Sequence, residues 1–136
     1  GAALFDEAVR GCDWITLQRG PAKAEHSFYY WAGNLIDNGD GPGVQRFTEA
    51  IAEAGLETVS VGYTKMAAYQ HPLIKHRRAQ AFTDPRNKDC RMDYEDGRCP
   101  VAERLVPRII LGYTIAPEEV VRRDAEKLSE VVRALS

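Results

Sequence analysis

Val44-Gln45-Arg46-Phe47-Thr48-Glu49-Ala50-Ile51-Ala52-Glu53-Ala54-Gly55, followed by Leu56-Glu57-Thr58-Val59-Ser60-Val61, is the stretch that decides the fold. Val44, Phe47, Ile51 and Ala54 fall on one face of a helix, with Gln45, Glu49, Ala52 and Glu53 off it. Gly55 ends that helix, because glycine takes a left-handed C-cap without a Cβ clash. Thr58-Val59-Ser60-Val61 then alternates with the period of a strand. A helix, a glycine stop and a short strand make a two-layer unit that buries one face of each element against the other.

Upstream, Asp37-Asn38-Gly39-Asp40-Gly41-Pro42-Gly43 is a turn segment. Before it, Ser27-Phe28-Tyr29-Tyr30-Trp31-Ala32 is predicted as an aromatic strand and Trp14-Ile15-Thr16-Leu17 as a shorter one, separated by the break Arg19–Lys23. Ala2–Arg10 carries Leu4, Phe5, Ala8 and Val9 at helical spacing and stops at Gly11. Downstream, residues 62–98 have weak periodicity, and Asp84–Arg98 is highly polar, which predicts a long functional or mobile loop. Pro100 suits the first turn of a short helix, Val101–Val106, and Arg108–Leu111 is expected to be a buried strand. Pro117-Glu118-Glu119 opens a long helix with acidic residues where the dipole favours them. Its core stripe is Val121, Ala125, Leu128, Val132 and Leu135, the larger of them worth about 1.5–3 kcal/mol each when buried. The order β-β-α-β-loop-α-β-α predicts an α/β protein of the α+β two-layer kind: a small, mostly antiparallel sheet covered by helices, residues 1–136 forming a single domain.

At 136 residues, 44% hydrophobic and 28% charged, the chain has the composition of one folded domain. A formal charge of −2 gives no global pull toward nucleic acid or anionic membrane. No apolar run reaches the roughly 20 residues a bilayer span needs, and Gly1–Phe5 runs straight into an acidic helical pattern, unlike a signal peptide. Cys12, Cys90 and Cys99 read as reduced thiols of a cytoplasmic protein; Cys90 and Cys99 bracket a polar loop and could also bridge under oxidising conditions. No nucleophile elbow, no H-E-x-x-H and no phosphate-binding P-loop is present. The glycines around Asp40 lack the strand–loop–helix order of a dinucleotide site, and Asp37 and Asp40 lack the spacing of a calcium loop. No catalytic residue and no metal ligand is therefore assigned.

Tyr63–Arg78 is the stretch with chemistry to offer. Basic residues among tyrosines and histidines can hold a phosphorylated or sugar-nucleotide ligand, arginine as a fork and lysine as a point charge. Lys75, Arg77 and Arg78 read equally as a solvated helix face, with Tyr63 and Tyr69 as half-buried anchors. His71 precedes Pro72, which restricts it to an extended or turn conformation. His26 reads as structural.

Taken in order, His26–Trp31, Val59-Ser60-Val61-Gly62-Tyr63-Thr64, Tyr69-Gln70-His71-Pro72-Leu73, Gly97-Arg98-Cys99-Pro100-Val101-Ala102-Glu103 and the closing helix resemble the C-terminal domain of the DegT/DnrJ/StrS-type PLP-dependent sugar aminotransferases. The likeness spans almost the whole chain, and Cys99–Glu103 is its most specific piece. Met66-Ala67-Ala68 stands where that family often has a proline. The resemblance implies the small domain of a fold-type I enzyme that moves an amino group, usually from glutamate, onto a nucleotide-linked keto-sugar, or of one of the family's related dehydratases. It implies that pyridoxal phosphate and its Schiff-base lysine belong to a large domain preceding Gly1, which would be this chain's partner in a homodimeric enzyme, and that this chain alone is inactive. Tyr63, Tyr69 and His71 become substrate-side residues by that likeness; Lys75, Arg77 and Arg78 join them on charge alone. Two alternatives remain open on sequence: a standalone module for a nucleotide-sugar or other phosphorylated ligand, and a dimerisation domain.

Overall fold

A computed structural model describes residues 1–36, 39, 41–87 and 94–136. Asp37, Asn38 and Asp40 of the expected turn, and Cys90 of the pair with Cys99, lie outside the described residues. The chain divides into two compact units, residues 1–63 with 108–136, and residues 64–107.

The first unit is a four-stranded antiparallel sheet with helices packed on it, the α+β arrangement expected. Its elements are α1 (Ala2–Ala8), β1 (Ile15–Leu17), β2 (Tyr30–Leu35), α2 (Gly43–Glu53) and β3 (Val59–Val61). The second unit then intervenes with α3 (Pro72–Lys75), α4 (Gln80–Thr83) and α5 (Pro100–Leu105), before β4 (Ile109–Tyr113) and α6 (Glu118–Leu135) complete the first. Strand order is β1-β2-β4-β3, so β2 and β3 run parallel with β4 inserted between them.

Alternation along the strands sends Ile15, Trp31, Leu35, Val59 and Ile110 to the face that meets the helices. There they join Phe5 of α1, Phe47 and Ile51 of α2, and Val121, Ala125, Leu128 and Val132 of α6. The predicted stripe of α6 is thus its core face, with Leu135 at the edge. The terminal helices α1 and α6 pack against each other.

Two strands are shifted from their expected positions. The aromatic strand begins at Tyr30 and runs on through Gly33 and Asn34 to Leu35. Phe28 takes φ 48°, which breaks the ladder, and its N–H donates to His26 Nδ1 at 2.8 Å. Gly33 belongs in the strand because a Cβ there would lie 3.1 Å from Ile15 Cγ2. The next strand likewise extends to Tyr113, passing through Gly112, where a Cβ would lie 2.8 Å from the Phe5 ring. Phe5 is fully buried and its ring stands 5.5 Å from that of Trp31, so it has nowhere to retreat. Gly112→Ala is accordingly expected to cost about 1–3 kcal/mol through overpacking. Urea unfolding checks this, and a variant as stable as the parent would show that α1 can move off the sheet.

Within the expected long loop the described residues form short helical pieces, namely the 3₁₀ turn Ala68–Gln70, α3, α4 and the 3₁₀ turn Pro85–Asn87, while α5 meets the short helix expected after Pro100. No helix among the described residues is long and apolar enough to cross a membrane.

Candidate functional site

In the second unit the Tyr-Gln-His-Pro segment and the Gly-x-Cys-Pro-x-Ala-Glu segment are bound together by side chains. Pro72 sits at the first turn of α3, where its missing N–H costs nothing, and holds His71 extended at ψ 132°. Tyr69, on the preceding 3₁₀ turn, donates its hydroxyl to the Glu103 carboxylate. The same Glu103 oxygen accepts the Gly97 N–H at 2.7 Å, and the Cys99 N–H donates to Tyr69 Oη at 3.2 Å. Glu103 occupies the first turn of α5, the end of a helix that favours a carboxylate.

A second bridge lies beside the first. Gln70 accepts the Ala67 N–H at 3.0 Å and donates to Asp96 at 3.1 Å. Lys75 Nζ meets the other Asp96 oxygen at 2.7 Å. The Asp96 hydrogen bond holds the Lys75 ammonium above its usual range, against the pull of partial burial, while Lys75 and then Gln70 hold the Asp96 carboxyl below its own. Both groups are therefore charged throughout the neutral range, and the Lys75 charge is already matched.

The remaining predicted residues are placed differently. His71 is exposed; its Nδ1 accepts the Leu73 N–H at 3.3 Å, which leaves Nε2 as the N–H donor of the neutral ring. Arg77 closes α3 in the left-handed region at φ 53° and holds its guanidinium 5.8 Å over the Phe82 ring. Arg78 is exposed, with no side-chain partner among the described residues. Of the predicted cations, then, Lys75 is used in tying the segments together and Arg77 in stacking.

Tyr63 belongs to the first unit, where it follows β3 directly after Gly62. Its ring lies 6.0 Å from Tyr30, which in turn is 4.7 Å from Tyr29 and 5.5 Å from Tyr113. Burial, then the neighbouring phenols Tyr29, Tyr63 and Tyr113, push the Tyr30 phenol above its usual range. Tyr29, Tyr30 and Tyr113 were missed by sequence reasoning. Tyr30 and Tyr113 meet only because β2 pairs with β4 in the register Tyr30↔Tyr113, which no local pattern reveals.

Lys75 is kept protonated by Asp96, and Lys127 Nζ donates to the Gly55 carbonyl at 3.2 Å. Neither lysine is assigned a Schiff-base role. Burial raises the Cys12 thiol, which makes it a poor nucleophile. Among the described residues no group of three His, Cys, Asp or Glu side chains could hold a metal ion.

No protein-family model, no curated protein and no solved structure matches this chain.

Proposed function

We propose that this chain is the small C-terminal domain of a cytoplasmic, homodimeric, pyridoxal-phosphate-dependent aminotransferase acting on a nucleotide-linked keto-sugar, inactive on its own. One observation carries the reading. The two segments that bear the resemblance, Tyr69–Leu73 and Gly97–Glu103, are far apart in sequence yet joined by the Tyr69–Glu103 bond and the Cys99 N–H on Tyr69 Oη. That pairing would keep His71 at a fixed place beside the substrate. The cofactor, held by the large domain, would supply the electron sink for amino transfer. This chain's residues would orient the sugar and exclude water, with His71 Nε2 as a hydrogen-bond donor. The Lys75–Asp96 ion pair speaks against a separate phosphate clamp at this place.

The test is reconstitution. The chain, alone and mixed with a large domain encoded directly upstream of it, is supplied with pyridoxal phosphate, glutamate and a nucleotide-linked keto-sugar. Amino transfer is expected only in the mixture, and His71→Ala should lower it while leaving the fold intact by circular dichroism. A cofactor adduct on this chain alone that survives dialysis would overturn the reading.

A further inference from the structure

We infer that Tyr29, Tyr30, Tyr63 and Tyr113 form a stacking platform for a neutral, hydroxyl-rich ring, the pyranose of a sugar ligand; the identification of that ring as substrate rests on the function proposed above. The four residues come from three places in the chain, and their rings meet. Tyr30 and Tyr113 are direct cross-strand partners on the face opposite Trp31 and Gly112, Tyr29 precedes β2, and Tyr63 follows β3. Adjacent rings are 4.7–6.3 Å apart, in tilted and edge-to-face contacts.

Folding does not account for this cluster. Tyr29 is 57% and Tyr63 64% exposed, so both leave ring surface in water that a core would cover. The cluster also takes four of the chain's 6 tyrosines and no other aromatic type, whereas packing alone would be served by phenylalanine or leucine. Tyrosine adds a hydroxyl at the rim of each ring. A surface of π-faces edged with O–H groups suits a ring whose faces carry C–H bonds and whose rim carries hydroxyls, which describes a pyranose. Beyond burial, the groups that perturb Tyr30 are the other three phenols, which places the four hydroxyls close together.

The platform is also held in place beforehand. The Thr114 hydroxyl donates to the Phe28 carbonyl and lies 3.3 Å from that of Tyr29, which fixes the bend from which Tyr29 projects. Gly62 takes φ 69° and turns the chain out of β3 into Tyr63. Ring positions fixed in the free protein reduce the ordering cost of binding.

Saturation-transfer-difference NMR on the intact chain tests this with three probes: methyl β-D-glucopyranoside, UDP-N-acetylglucosamine and UDP. The expected result is saturation of pyranose ring protons in the first two, and little on UDP. Tyr63→Ala and Tyr29→Ala, both at exposed positions, should each reduce it several-fold, and Tyr63→Phe less. Saturation confined to the uracil protons, no saturation of any probe, or signals unchanged in both alanine variants would overturn the inference. A concentration-dependent sedimentation coefficient abolished by Tyr63→Ala, without pyranose saturation, would make the patch a self-association surface instead. Its failure is separable from that of the proposed function. Pyranose saturation without amino transfer in the reconstituted mixture leaves the platform and removes the aminotransferase. Amino transfer with a KM for the sugar unmoved by Tyr63→Ala does the reverse.

Discussion

Asp124→Ala is expected to lower the melting temperature by roughly 10 °C, corresponding to about 3 kcal/mol in a domain of this size. Asp124 is 0% exposed in the middle of α6. Its Oδ2 accepts the Glu57 N–H at 2.7 Å, the Thr58 N–H at 2.6 Å and the Thr58 hydroxyl at 2.8 Å. The other oxygen receives the Arg123 guanidinium at 2.9 Å. Alanine would strand these donors where β3 begins, and a buried donor left without a partner costs more than the bond it made. Asp124→Asn keeps an acceptor and should lose less.

The same residue sets an acid limit. Burial alone would raise the Asp124 carboxyl, but the Thr58 and Arg123 hydrogen bonds, with that of Glu57, outweigh it and hold it below its usual range. A carboxyl depressed in the folded state contributes stability above its unfolded value, near 3.9, and loses it as pH falls through the folded value. The parent should therefore lose stability below about pH 4 more steeply than Asp124→Asn. Calorimetric scans between neutral and acid pH measure both effects. Parallel pH profiles for the parent and Asp124→Asn would show that another carboxylate governs acid unfolding.

Trp31→Ala should be at least as damaging, at about 3–5 kcal/mol. Trp31 is 2% exposed at the centre of the helix-facing side, and its indole Nε1 donates to Asp6 at 2.7 Å. Removing the indole opens a cavity beside the fully buried Phe5 and cuts the tie from β2 to α1. Stabilities of small domains run to only about 5–15 kcal/mol, so the variant would sit near the edge of folding at 25 °C. Trp31→Phe restores most of the volume and lacks only the hydrogen bond. In urea unfolding it should fall between the parent and Trp31→Ala. Equal losses in the two variants would mean that the bond to Asp6, and not the packing, carries the effect.

The parts legible in the sequence are those whose cause is local. α2, its stop at Gly55 and β3 follow from periodicity and a glycine cap, and α6 follows from its stripe and acidic start. Gly33 and Gly112 sit inside strands because Ile15 and Phe5 press on the backbone there, and such pressure comes from residues distant in sequence. Asp124 lies between Val121 and Leu128 on the buried side of α6; an isolated acidic residue in a helical pattern reads as solvent-facing until its donors on the neighbouring strand are seen. For the candidate site, His71 and Tyr69 were readable as a motif, but the use of Lys75 against Asp96 was not, since the partners lie in separate segments. The helical pieces of residues 68–87 are too short for a period to show.

The insertion of those residues between β3 and β4 has a consequence for how the chain can change over time. Val61 and Ile110 face each other in the ladder, and the Gly62 N–H closes on the Ile109 carbonyl at 2.8 Å. The two strand ends are thus already as close as the ends of a hairpin, and whatever joins them is held at both ends by the sheet. The entropy of closing such a connection grows only with the logarithm of its length, about 0.6 kcal/mol per doubling. Segments can be lengthened, rewritten or exchanged between related chains at this junction while the sheet keeps its register.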